Sequence, residues 1–278
     1  MIPNIIHFVF GLSTDFGKRP FLLIHHLAIK SAYEVNRPDK IYFVCAQEPQ
    51  GEYFERSRAY IEVVQITPPD SIFGHPLMHY AHKADIVRME RLIAYGGIYL
   101  DLDVICLKPL TPFLEGDKAV LGKLYEYFRY EPKTFLRKVL KFFRLHDPGE
   151  IRNYVGLCNA VIIAPPNDPF ILRWYDTYRY FRSRGHDLYW DEQSVQVPGK
   201  LAEIYRGEVD VLEDNHFFYP SFDEWGLRAL YQESNTYDDA YLFHLWESLV
   251  YEKYLQHLTE DKIRTEDTTY NIAARRFL

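Results

Sequence analysis

Apolar residues along the first hundred positions fall into two alternating textures. Short continuous runs bounded by turn residues alternate with longer stretches of helical period. Residues 5–10 form a buried-strand run, closed by the turn-like Gly11-Leu12-Ser13-Thr14-Asp15. Pro20 opens a helical stretch over 21–35 that Asn36-Arg37-Pro38 ends. Residues 41–45 and 61–66 read as strands, and 80–95 as a helix stopped by Gly96-Gly97. Residues 98–102 are strand again, so the first half predicts βαβ units and a mostly parallel sheet. The second half is less regular. It predicts a strand over 159–164 closed by Pro165-Pro166, a helix over 170–182, and a helix over 191–205 interrupted near Pro198. Short strands over 209–212 and 217–219 and a longer apolar one over 241–246 follow. With no repeat, low-complexity run or linker, residues 1–278 read as a single α/β domain with a C-terminal helical part.

Composition narrows the function classes. Lys plus Arg at 32 against Asp plus Glu at 39 gives a net charge of −7, which disfavours a nucleic-acid binder. An acidic chain can still hold a phosphorylated small molecule where a metal ion supplies the positive charge locally. Aromatic residues at 17% suit sugar or base stacking, although they also fill cores. Cys45, Cys106 and Cys158 are too scattered for a disulfide framework or a zinc site. They read as buried thiols of a reducing compartment. The apolar run at 5–10 is too short to span a bilayer and lacks the flanks of a leader. The expectation is a cytoplasmic protein of a bacterium or virus, soluble or peripheral at a membrane.

The segment from His82 to Val104 carries the chemistry. Asp85 and Arg88 are spaced i, i+3 and share a helix face. Asp101 and Asp103 are spaced i, i+2 at a strand end, which predicts that both carboxylates project to the same side. Two hard oxygen ligands side by side suit Mg²⁺ or Mn²⁺, with diphosphate oxygens taking further positions. An Asp-X-Asp alone arises about once by chance in a chain of this length. The joint arrangement of polar helix face, glycine stop, apolar strand and paired carboxylates is what carries the reading. In an open α/β sheet, ligands bind beyond the carboxyl ends of strands, where this pair stands.

Residues 83–104 resemble the Asp-X-Asp region of glycosyltransferase family 32, which includes yeast initiating mannosyltransferases, α-1,4-galactosyltransferases and bacterial polysaccharide transferases. The opening Ile2-Pro3-Asn4-Ile5-Ile6-His7-Phe8-Val9-Phe10-Gly11 is similar to that family and to the clostridial glucosylating toxins. The resemblance is specific over 1–110 and looser through Asn159-Ala160-Val161, Phe218-Tyr219-Pro220 and His244-Leu245-Trp246. It implies a GT-A type, Rossmann-like sheet flanked by helices, with a nucleotide-sugar and metal-binding half over 1–110 and an acceptor-side half over 111–278. It implies hexose transfer with retention, from UDP-glucose or UDP-galactose to a glycan or lipid-linked acceptor in polysaccharide biosynthesis. Mn²⁺ or Mg²⁺ is the implied cofactor. Val9 and Phe10 would line the base pocket; Phe10 stands where the toxins carry Trp. Asp85 and Arg88 would bind the transferred sugar, with Arg88 also near the phosphates. Tyr99 would lie beside the diphosphate, and Asp101 with Asp103 would hold the metal. His244 is the candidate third ligand, the alternative being a strand histidine bonded to a carbonyl. Asn159 would contact the donor or acceptor sugar. Asp191-Glu192-Gln193 would supply a polar group under the anomeric carbon, Asp191 and Gln193 being the catalytic candidates; helix capping or solvation explains the same residues.

Residues 133–145 add an acceptor-side clue. On a helical wheel Phe135, Leu136, Val139, Leu140, Phe142 and Phe143 fall within roughly 160° of arc. Lys133, Arg137, Lys138, Lys141 and Arg144 lie opposite. This is either a contact with an anionic membrane surface or a helix packed on its own domain. Two other function classes compete with transfer: a metal-dependent phosphoesterase and a catalytically silent sugar-binding relative. The phosphoesterase needs more ligands near the first strand, which offers only His7. Intact Asp101 and Asp103 argue against the silent relative.

Overall fold

The structure, a computed structural model, describes residues 1–13, 19–128 and 151–278. Its strands are β1 (Ile5–Val9), β2 (Lys40–Cys45), β3 (Glu62–Gln65), β4 (Ser71–Ile72), β5 (His75–Pro76), β6 (Gly97–Leu100), β7 (Val104–Cys106), β8 (Ala119–Phe128), β9 (Ile151–Ala164), β10 (Val209–Leu212) and β11 (Leu242–His244). Among the described residues, seven strands form the main sheet, in the order β10-β8-β9-β6-β1-β2-β3. Only β9 runs against its neighbours, and every other pairing in that sheet is parallel. The mostly parallel α/β sheet flanked by helices is therefore present, and short helices follow one another from Glu247 to Phe277.

The two faces of the sheet are read out by alternation. Ile6, Phe8, Phe43, Cys45, Ile98 and Leu100 enter one core layer, shared with helix α1 (Leu23–Asn36). Val9, Val44, Tyr99 and Ile162 enter the other, shared with Ile86, Val87 and Leu92 of α3 (Tyr80–Tyr95), which follows the short α2 (Glu52–Ser57). Burying both faces explains why these strands read as continuous apolar runs. Gly96 and Gly97 let α3 turn directly into β6. Gly97 has φ +100°, and a Cβ there would stand 2.5 Å from the Ile5 carbonyl oxygen of β1, so a side chain would prise apart the two central strands. The three cysteines are free and buried. No described helix is long and apolar enough to cross a membrane.

Three sequence expectations are corrected. The strand predicted over 98–102 ends at Leu100, and the chain turns there, with Val104 N–H donating to the Asp101 carbonyl at 3.2 Å. The strand predicted over 217–219 is the end of a helical turn, Asp214–Phe217. Phe217 and Phe218 are both buried, filling the space that Gly122 leaves open, and a strand would have sent one of them outward. Pro198 sits in the first turn of helix Val197–Ile204 rather than interrupting one, after a π-helical turn at Glu192–Gln196. β8 went unread because Lys123-Leu124-Tyr125-Glu126-Tyr127 mixes polar and aromatic residues, pairing with the equally polar start of β9.

Two histidines in these layers make stability depend on pH. His7 and His26 are buried, and burial, with smaller contributions from nearby cations, pushes each down to about 4 from an ordinary 6.5. Between those values the unfolded chain binds protons that the folded chain refuses. The contribution of these two histidines to stability is therefore full above pH 6.5 and falls as pH drops towards 4. Melting temperatures measured between pH 7 and pH 4.5 should decline; a constant or rising value would contradict the assignment.

Candidate active site

Beyond the carboxyl ends of β1 and β6 lies a cleft of about 270 Å³, lined by residues 9–13, Arg19, Tyr80, Ala81, Ala84, Arg88, Tyr99, residues 101–103, His244 and residues 246–248. Strand register brings its two walls together: His7 of β1 pairs with Tyr99 of β6, so Phe10 and Asp101 leave the sheet side by side.

Helix α3 supplies the floor. His79 caps it, its Nδ1 accepting from Ala81 N–H at 3.1 Å, and the i, i+3 spacing sets Asp85 and Arg88 on the buried face. Arg88 is only 6% exposed. It pairs with Asp85 at 3.3 Å and Asp101 at 3.1 Å, and donates to the Asn159 carbonyl at 2.8 Å. Its guanidinium lies 4.3 Å over the Tyr99 ring. Asn159 Nδ2 donates to Asp85 Oδ1 at 2.8 Å, and Tyr99 O–H donates to Asp101 Oδ1 at 2.6 Å. Asp85, Arg88, Tyr99 and Asn159, all buried, thus form one network with the partly exposed Asp101, drawn from three segments. Burial pushes the Asp85 carboxyl up despite the Arg88 charge. For Arg88, burial alone acts downwards, but Asp101, Tyr99 and Asp85 together hold it above its ordinary range, so it stays a cation. Asp85 sits behind Arg88, and of the two only Arg88 lines the cleft.

The metal-ligating candidates meet at the turn after β6. β7 pairs with β11 so that Val104 lies opposite His244, which brings the imidazole beside Asp103. The Asp103 carbonyl accepts from Leu245 N–H at 2.8 Å, and its Oδ2 accepts from Glu247 N–H at 2.8 Å. Its Oδ1 faces His244 Nε2 at 3.2 Å. Burial would push Asp103 up and His244 down; their mutual attraction outweighs it, holding the carboxyl below and the imidazole above the ordinary values. One ligand atom each from Asp101, Asp103 and His244 lies within 4.8 Å of the others. Ligands of a small divalent ion stand about 3–4 Å apart around it, so two carboxylates and an imidazole gathered here are a donor set suited to Mg²⁺ or Mn²⁺. The convergence comes from the turn and the β7–β11 pairing, not from strand alternation.

At the far end, Val9 lines the wall and Phe10 is half-buried among Phe21, His25 and Phe43, with centroids 5.7, 5.2 and 6.2 Å away. Trp246, in a left-handed conformation with φ 54°, closes the other side, its ring 4.0 Å from that of His244.

Asp191 and Gln193 are not brought to the cleft. Gln193 is buried, accepting from Thr177 Oγ1 at 2.8 Å, while Asp191 accepts from Gln196 Nε2 at 3.0 Å. These contacts tie down the π-helical turn, so neither helix capping nor solvation accounts for them: Asp191 makes no side-chain cap bond and Gln193 is buried. Residues 133–145 lie outside the described residues. Arg19, Tyr80 and Glu247 line the cleft without having been singled out; isolated charged or aromatic residues carry no spacing that would mark them.

Paired aspartates stand at the carboxyl edge of a mostly parallel sheet, backed by an Asp–Arg helix, the arrangement expected of an Asp-X-Asp glycosyltransferase. Residues 26–120 match the model described as the glycosyltransferase sugar-binding region containing the DXD motif. The whole chain is 32% identical, over 288 residues, to glucan organizing enzyme 1 of the fungus Cryptococcus neoformans var. grubii, covering 71% of that protein. The chain belongs to this DXD-containing glycosyltransferase family. Among solved structures it is similar to mouse xyloside xylosyltransferase 1, at 12% identity and a TM-score of 0.47, covering 88% of this chain and 98% of that one. Glycosyltransferase GlyE of Streptococcus pneumoniae gives 14% identity and a TM-score of 0.47, covering 100% of this chain and 60% of that one.

Proposed function

We propose that this glycosyltransferase is a metal-dependent, retaining enzyme that moves a hexose from a UDP-sugar, glucose or galactose, to a glycan or lipid-linked acceptor. The convergence of Asp101, Asp103 and His244 beside Arg88 in one cleft carries the reading. A divalent ion held by those three would act as a Lewis acid on the charge gathering at the departing nucleoside diphosphate. Arg88, kept cationic by its carboxylates, would lend its charge to the diphosphate side of the cleft and leave at most one N–H for a sugar hydroxyl. Asp85 and Asn159 would fix Arg88 and, through it, the sugar, while Tyr99 holds the orientation of Asp101. Val9 and Phe10 would take the base.

Transfer breaks the bond from anomeric carbon to phosphate oxygen, its electron pair leaving with the diphosphate. The acceptor hydroxyl forms the new bond and gives its proton to the departing phosphate oxygen. This front-face course is supported by the state of the carboxylates. Among the described residues lining the cleft they are Asp101, Asp103 and Glu247, the first two at the metal-ligating cluster and the third held by His25 at 3.1 Å. None is left as a nucleophile on the opposite face. The fungal relative's name refers to glucan, which supports a polysaccharide context. The basic segment 133–145 would hold the enzyme near a lipid-linked acceptor on an anionic membrane.

Proton NMR of the first-formed product tests the stereochemistry. With an α-linked UDP-sugar and Mn²⁺, the initial product should carry the α configuration; a β product would overturn retention.

A further inference from the structure

We infer that Arg19 is a diphosphate-binding residue of the donor site, exchanging its contact with Glu247 for a phosphate oxygen when the nucleotide sugar enters. This rests on the donor reading above. Among the described residues, the cations lining the cleft are Arg88 and Arg19, apart from His244 when protonated. Arg88 is largely committed: two carboxylates neutralise it, the Asn159 carbonyl takes an N–H, and Tyr99 covers one face. Arg19 is held loosely. It faces Glu247 at 3.7 Å, beyond hydrogen-bond range, and lies 4.7 Å over the Tyr251 ring, with its side chain 28% exposed. A guanidinium held only by a ring face and a long ion pair keeps N–H donors for an anion, and their fork matches two phosphate oxygens better than one distant carboxylate.

Glu247, by contrast, is fixed. Fully buried His25 binds its carboxylate at 3.1 Å, and its own N–H is bonded to Asp103 Oδ2. The residue that parks Arg19 is thus joined directly to the metal-ligating cluster, and Arg19 lines the same cleft as Asp101 and Asp103, where a diphosphate would be held through a divalent ion. Glu247 keeps the guanidinium at the mouth of the cleft before the donor arrives. After exchange, the Glu247 carboxylate keeps its hydrogen bond to His25 Nε2.

Calorimetric titration tests this with uridine, guanosine, adenosine and cytidine diphosphates, and the matching nucleosides, in Mn²⁺ buffer. Whichever diphosphate binds the wild type should bind Arg19→Gln about tenfold or more weakly, with the matching nucleoside changed by less than about twofold. Arg19→Lys, which keeps the charge but loses the fork, should fall between. Undiminished diphosphate binding by Arg19→Gln would overturn the assignment of Arg19 alone, because the wild-type titration has then upheld the donor site. A wild type that binds none of the four diphosphates would overturn the donor reading and this inference together. Because Arg19 makes one long, partly exposed ion pair, both variants should remain folded by circular dichroism.

Discussion

Asp103→Ala and Asp101→Ala are each expected to reduce sugar transfer at least about a thousandfold, since losing a ligand of a charge-stabilising metal forfeits several kcal/mol of the barrier reduction. Neither side chain fills the core, so both variants should fold. Asp103 does accept from Glu247 N–H, and Asp103→Asn, which keeps an acceptor oxygen there, separates that local role from metal binding. The asparagine variant should melt near the wild type and still lack turnover. Initial rates at saturating Mn²⁺ check this, and near-normal rates in any of these variants would remove the metal assignment.

Arg88→Ala carries the second large effect, on stability as well as turnover. It strips the shared cation from Asp85 and Asp101, and breaking a buried pair in this way costs about 3–5 kcal/mol. The melting temperature should fall markedly and turnover should be lost. Arg88→Lys restores a charge without the planar fork that reaches two carboxylates and a carbonyl at once. It should recover much of the stability while remaining at least about tenfold slower, because a charge-assisted hydrogen bond contributes about 1.5–3 kcal/mol. Lys83→Ala, five residues earlier on α3, is the control. Lys83 pairs at 2.6 Å with highly exposed Asp70, the kind of contact that contributes about 0–1 kcal/mol. Equal losses from Lys83→Ala and Arg88→Ala would mean that the helix face is misassigned.

The first half of the fold was legible because its central strands β1, β2 and β6 are buried on both faces and its helices end in strong punctuation. Helix α3 follows its predicted limits because Gly96 and Gly97 take the positive φ values at which the helix ends and β6 begins. The same local signals led to the Asp85–Arg88 and Asp101–Asp103 pairs. What the pattern hid was tertiary. That Asp101 and Asp103 stand on a turn depends on β7 leaving the main sheet to pair with β11, well over a hundred residues later. His244 was reached through resemblance, and its position opposite Val104 is invisible in local spacing. Gln193 looked suited to a donor site but is consumed by Thr177, a contact between neighbouring helical turns that no periodicity announces. Arg19 and Glu247 lie at opposite ends of the chain and become informative only as a pair.

The most direct measurement of the central claim is product analysis after incubation with a panel of nucleotide sugars, with Mn²⁺ and with a chelator. The account predicts that one donor, UDP-glucose or UDP-galactose, yields free nucleoside diphosphate and an equal amount of transferred or hydrolysed hexose, only when metal is present. Release of nucleoside monophosphate with sugar phosphate, or turnover untouched by the chelator, would contradict it.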